Sequence, residues 1–186
     1  CAHCYAEGNQ ASRLMGVKWG KGESRHRTSA ANWRKLRTWN RAAELCKCGQ
    51  GIKASALHDC DAGRYTVDYH LKMKRTRVFC ASLADWLDDE VPIEWLADLL
   101  KLIHDTPNLD WLLLTKRPGH WEPRVRDVMD LSTGPTPDAF YLWLRGWLKG
   151  KPPSNVWFGV SVEDQRRADE RIPLLLKIPA RVRFLS

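Results

Sequence analysis

Four short apolar runs, starting near residues 78, 111, 156 and 182, alternate with stretches whose apolar residues recur at helical spacing. That alternation constrains the fold more than any other feature. It builds parallel strands joined by right-handed helical crossovers. The runs Val78-Phe79-Cys80-Ala81, residues 111–114, Val156-Trp157-Phe158-Gly159-Val160 and residues 182–185 are nearly continuous in apolar residues. Such runs suit strands covered on both faces. Between the first two, Trp95, Leu96, Leu99, Leu100 and Ile103 repeat as one helix face. Pro92 fits its first turn, with Asp88, Asp89 and Glu90 near its positive end, and Thr106-Pro107-Asn108 stops it. Two further helices are predicted near 119–130 and 137–149, the second opening at Thr136-Pro137. Ala168, Ile172 and Leu175 mark another helix, which Pro173 should shorten or bend.

Before the first strand the pattern is looser. Residues 5–15 can form a short helix, and residues 16–27 read as a basic, glycine-containing loop. Thr28 or Ser29 can cap a helix that puts Trp33, Leu36, Asn40 and Ala43 on one face. Residues 46–76 lack a clear period and read as an insertion in what is otherwise a single α/β domain of 186 residues. The chain lacks an initiator Met and stops at Ser186 inside an apolar stretch, so both ends read as cuts. There is no signal-peptide pattern and no run of 18 apolar residues, so no membrane contact is expected.

The choice of architecture lies between a barrel and a doubly wound open sheet. No Gly-rich phosphate loop opens a helix, which argues against a nucleotide-binding open sheet. Each of the first three strands instead ends in polar residues: Ser82 and Asp85, then Thr115, Lys116 and Arg117, then Ser161 and Glu163. In α/β barrels those C-terminal strand ends carry the chemistry. Any one of these groups can equally be a cap or a turn; three in succession point to one shared site.

Charge is unevenly spread. Residues 1–78 hold 16 Lys/Arg against 6 Asp/Glu, whereas residues 79–186 hold 14 against 16. A basic first part containing Trp19, Trp33 and Trp39 could hold a nucleic-acid backbone and stack bases. The alternative is a solvated basic face with its tryptophans in the core.

Six cysteines, at 1, 4, 46, 48, 60 and 80, are too sparse for a small disulfide scaffold. Reduced thiols in the cytoplasm are the better reading, so close pairs suggest metal. Cys1-Ala2-His3-Cys4 puts two thiolates three residues apart, a spacing compatible with zinc, an iron–sulfur cluster or a redox pair. Cys46, Cys48, His58 and Cys60 form a complete tetrahedral zinc set, in a segment where a metal could replace a missing core. The alternative is free cysteines in a surface loop. Cys80 lies inside a predicted strand and reads as a core residue.

The stretches Cys-Ala-His-Cys-Tyr-Ala-Glu (1–7), Val-Phe-Cys-Ala-Ser-Leu-Ala-Asp-Trp (78–86), Leu-Leu-Leu-Thr-Lys-Arg-Pro (112–118), Asn-Val-Trp-Phe-Gly-Val-Ser-Val-Glu-Asp-Gln (155–165) and Ala-Asp-Glu-Arg-Ile-Pro-Leu-Leu (168–175) resemble the phage protein family named after gene products thirty-seven and sixty-eight. The family is largely a domain of unknown function with a three-cysteine, radical-SAM-like motif. The resemblance implies a partial (β/α) barrel of radical-SAM type, here truncated at both ends. It also implies a [4Fe-4S] cluster with S-adenosylmethionine on its open iron, in a phage-encoded or bacterial cytoplasmic protein. Cys1 and Cys4 would be the second and third cluster ligands. The cluster would cleave S-adenosylmethionine to a 5′-deoxyadenosyl radical that takes hydrogen from a substrate. Ser82, Asp85, Lys116, Arg117, Ser161 and Glu163, placed by their strand-end positions, would line the cofactor site. The competing expectation is a non-catalytic, metal-stabilised, basic nucleic-acid-binding protein.

Overall fold

Strand β2 (Leu109–Thr115) alternates along its whole length. Leu109, Trp111, Leu113 and Thr115 are buried, while Asp110, Leu112 and Leu114 are half-buried. Successive strand side chains point to opposite faces, so one face of the sheet is sealed and the other is partly open. The computed structural model describes residues 21–42, 75–80, 84–131 and 136–186. In it β1 (Thr76–Cys80), β2, β3 (Val156–Val160) and β4 (Val182–Leu185) pair side by side in chain order, and every pair is parallel.

Right-handed crossovers between strands in sequential order all pass over the same face. The helices are α1 (Ala30–Ala42), α2 (Ile93–Asp105), α3 (Trp121–Leu131), α4 (Ala139–Leu148) and α5 (Gln165–Lys177). Leu109, Trp111, Leu113, Val156, Phe158 and Val160 of the sheet join Leu96, Leu100, Val125, Leu144, Trp147 and Leu175 of the helices in one hydrophobic cluster. The expected α/β class with parallel strands is therefore present. Among the described residues the four strands form an open sheet with β1 and β4 at its edges.

The opposite face carries Phe79, Leu112, Trp157 and Val182 in one row, as the register requires. The Arg77 guanidinium lies over Trp157, 4.7 Å from its centroid. Gly159 interrupts the apolar run of β3 for a local reason: a Cβ there would overlap the ring of Phe184 on β4.

Several elements differ from the sequence expectation. β1 starts at Thr76, so the last residue of the expected insertion belongs to the sheet. The first two residues of β1 are exposed edge positions, where no apolar side chain is required. Helix α4 starts after Asp138 rather than Thr136, because the Asp138 carboxylate accepts from the Tyr141 N–H at 2.7 Å. Helix α5 runs through Pro173. Pro173 and Asp169 both face solvent, so water can satisfy the Asp169 carbonyl that the proline leaves without its helical donor.

Helix α1 starts after Ser29, whose hydroxyl accepts from Asn32 N–H at 3.4 Å. Trp33, Leu36 and Asn40 face inward, as their spacing predicts. Arg27 pairs with Asp98 of α2 at 2.7 Å and lies over Trp33. At the far end of α1 the Asn40 side chain accepts from Asn108 N–H, just before β2, at 2.9 Å. The helix thus runs beside α2, from the C-terminal edge of the sheet to its N-terminal edge. No helix among the described residues is long and apolar enough to cross a membrane.

Candidate active site

The polar segments after β1, β2 and β3 converge on one edge of the sheet. Asp85 is its centre, with a side chain only 11% exposed. One carboxylate oxygen accepts from the Thr115 hydroxyl at 2.7 Å and from Leu87 N–H at 3.1 Å. The other accepts from Lys116 N–H at 2.9 Å and from the Arg117 guanidinium at 3.1 Å. Arg117 N–H in turn donates to the Thr115 hydroxyl at 2.9 Å. The segment after β1 therefore clamps the turn after β2.

Arg117 also reaches Asp88 at 3.4 Å and Asp89 at 3.7 Å. Arg25 approaches from the segment before α1 and pairs with Asp88 at 3.0 Å and Glu90 at 2.8 Å. Two guanidinium groups are thus set among four carboxylates.

A second lobe links β2 to β3. Lys116 Nζ and Arg171 Nη1 each lie 2.7 Å from a different oxygen of Glu163. Arg171 also donates to the Ser161 carbonyl at 2.7 Å, and Ser161 N–H donates to the Thr115 carbonyl at 3.1 Å. Partial burial pushes the Glu163 carboxyl up, but the Lys116 hydrogen bond, a backbone hydrogen bond and the charges of Lys116 and Arg171 outweigh it. The carboxyl is held at about 2, against an ordinary 4.5.

A depressed carboxyl stabilises the fold fully above its unfolded value and loses that contribution as pH falls through the folded one. The advantage of wild type over Glu163→Gln should therefore be largest at neutral pH and shrink from about 4.5 down to about 2. Thermal melts of both proteins across that range check it. A gap independent of pH would mean that the pairing adds no stability.

Of the expected strand-end residues, Asp85, Lys116, Arg117, Ser161 and Glu163 are brought together here. Ser82 lies outside the described residues. Arg25 and Arg171 complete the cluster and carried no sequence signal beyond their charge. Arg171 follows Glu163 by eight residues on a predicted helix, and only the fold shows that it turns back. The charges in this cluster are engaged mainly with one another.

The expected metal ligands Cys1, Cys4, Cys46, Cys48, His58 and Cys60 all lie outside the described residues. Among the described residues no three His, Cys, Asp or Glu side chains gather to hold a metal. Cys80 packs against the core as expected, and burial pushes its thiol up to about 12, so it stays protonated. Trp111 is buried in the core as predicted, whereas Trp95 and Trp157 are half-buried.

A family model described as "Protein of unknown function (DUF5131)" matches residues 1–186. Comparison with curated proteins and with solved structures found no match.

Proposed function

The chain belongs to that family of unknown function along residues 1–186, and from this premise we propose that it is a radical-SAM-like enzyme of the cytoplasm, with its chemistry at the C-terminal edge of a partial (β/α) barrel. One observation carries the reading. Four parallel strands follow one another in chain order, and the segments after the first three meet in a single polar cluster. Sequential parallel strands of this kind build barrels, whose reactions sit at that edge.

The donor chemistry fits the implied group. Two thiolates three residues apart suit iron, and Cys1 and Cys4 would hold a [4Fe-4S] cluster together with a third ligand. When bound, the cluster and S-adenosylmethionine supply the radical chemistry, while the protein supplies orientation and shielding. Asp85 and Arg117, engaged with each other, keep the edge in shape. Lys116 and Glu163, each 24% exposed, would face the cofactor together with Ser82 and Ser161.

A second reading, a basic nucleic-acid-binding protein, is favoured by helix α1, which carries Arg34, Lys35, Arg37 and Arg41 and no acidic residue. The two are compatible if a nucleic acid is the substrate. In either case Cys46, Cys48, His58 and Cys60 would hold a structural zinc.

Anaerobic reconstitution of the full-length protein tests both metal assignments. About four iron atoms per chain and a brown absorption band are expected. Cys1→Ser with Cys4→Ser should remove the iron and keep the zinc. Cys46→Ser with Cys60→Ser should do the reverse. A colourless, iron-free wild-type protein would end the enzyme reading.

A further inference from the structure

Most arginines outside α1 in the described molecule are engaged by a carboxylate, a backbone carbonyl or an aromatic ring. Arg25, Arg27, Arg75, Arg117, Arg126, Arg166, Arg167 and Arg171 each meet a carboxylate. Arg34, Arg37 and Arg41 form no ion pair among the described residues, although they stand on one face of one helix. Residues spaced by three and four positions are neighbours on a helix surface, and these three span about 10 Å of its axis.

With Thr38, Asn40 and Asp105 they line an open groove of about 380 Å3. Asp105, whose Oδ1 is engaged by Lys101 at 2.7 Å and His104 at 2.9 Å, supplies a single carboxylate against the three guanidinium groups. Three like charges held this close repel one another unless an anion lies between them.

The groove is at the N-terminal edge of the sheet, since Asn40 bonds to Asn108 just before β2. The Asp85 cluster is at the opposite edge. The two are separate sites.

We propose that the groove binds the phosphate backbone of a nucleic acid, with Arg34, Arg37 and Arg41 each contacting a phosphate. This gives the second reading above a location and rests on that reading alone. Guanidinium forks match phosphate oxygens in pairs. Trp39, 44% exposed on the neighbouring flank of α1, offers a ring for a base to stack on. A membrane surface is the poorer match, because an interfacial helix needs a broad apolar face and Trp39 is the only large apolar side chain exposed on α1.

Fluorescence anisotropy of the full-length protein with labelled single-stranded DNA and RNA oligonucleotides, without iron or S-adenosylmethionine, tests the proposal. The triple variant R34A/R37A/R41A should lower the slope of log K against log salt by about 2, from roughly 0.7 per lost contact. At about 0.1 M salt that is roughly a 100-fold loss of affinity. The control R126A/R166A/R167A removes three exposed, carboxylate-paired arginines of α3 and α5, and should bind like wild type. The proposal is overturned if wild type does not bind, or if both triple variants lose affinity equally, since that would be a net-charge effect. It is also overturned if polyglutamate of equal charge competes as well as the oligonucleotide. A missing iron cluster would leave this measurement unchanged, so the two readings fail separately.

Discussion

Asp85→Ala should lower the free energy of unfolding by about 1–3 kcal/mol, the cost of leaving buried hydrogen-bond donors without their shared acceptor. The carboxylate is a shared acceptor for a hydroxyl, two backbone N–H groups and a guanidinium. Removing it strands several donors where little water reaches, and unsatisfied buried donors cost more than a satisfied bond returns. Arg117 keeps Asp88 and Asp89 as partners, which limits the loss to the upper part of that range rather than beyond it. Asp85→Asn keeps one oxygen acceptor and should cost less. Urea denaturation of the two variants checks this. A loss below about 1 kcal/mol for alanine would mean that the segment after β1 does not hold the turn after β2. The strand-end cluster would then be a surface feature and not a built edge.

What the sequence made legible, and what it hid, follows from the range over which each signal acts. β3 and β4 lie where their apolar runs predict; β3 is mostly buried, whereas β4, at the sheet's edge, alternates half-buried and exposed residues. The start of β2 at Leu109 was missed, since Asp110 breaks the apolar run; on the other face it pairs with Arg75, 3.2 Å away. Convergence of the strand ends was readable, because parallel strands share an edge whatever their loops do. The pairing within that edge was not. Arg117 finds Asp85 across 32 residues and Arg25 finds Asp88 across 63, and no local pattern encodes such partners. The same limit applies to charge. Composition showed a basic first part, but only the fold separates arginines that meet carboxylates from those that do not, among them the three gathered on α1. Pro173 does not shorten α5, because the carbonyl it leaves without a donor faces water.

The N-terminal end of β2 should be at least as sensitive as its C-terminal end. Trp111 is 1% exposed, and its indole N–H donates to the Thr106 hydroxyl at 3.1 Å. That hydroxyl donates to the Leu102 carbonyl at 2.6 Å, and Asn155 Nδ2 covers the Ile103 carbonyl at 3.2 Å. The last turn of α2 thus has its free carbonyls satisfied by residues that Trp111 packs in place. Trp111→Ala should cost about 3–5 kcal/mol through the cavity alone, comparable to the whole stability of a marginal domain, so loss of soluble protein at 37 °C is an acceptable form of the result. Trp111→Phe keeps most of the ring and loses the N–H, and should cost about 1–2 kcal/mol. This milder variant also asks whether the two ends of β2 act independently. Trp111 and Thr115 are four residues apart, about 13 Å along a strand, beyond the distance at which substitutions usually couple. Combined with Asp85→Asn, Trp111→Phe should therefore add to within about 0.5 kcal/mol in urea denaturation. A larger interaction energy would show that the strand transmits strain from the α2 terminus to the Asp85 cluster. The strand-end edge would then depend on packing at the far end of the sheet, and a ligand seated at either end would be felt at the other.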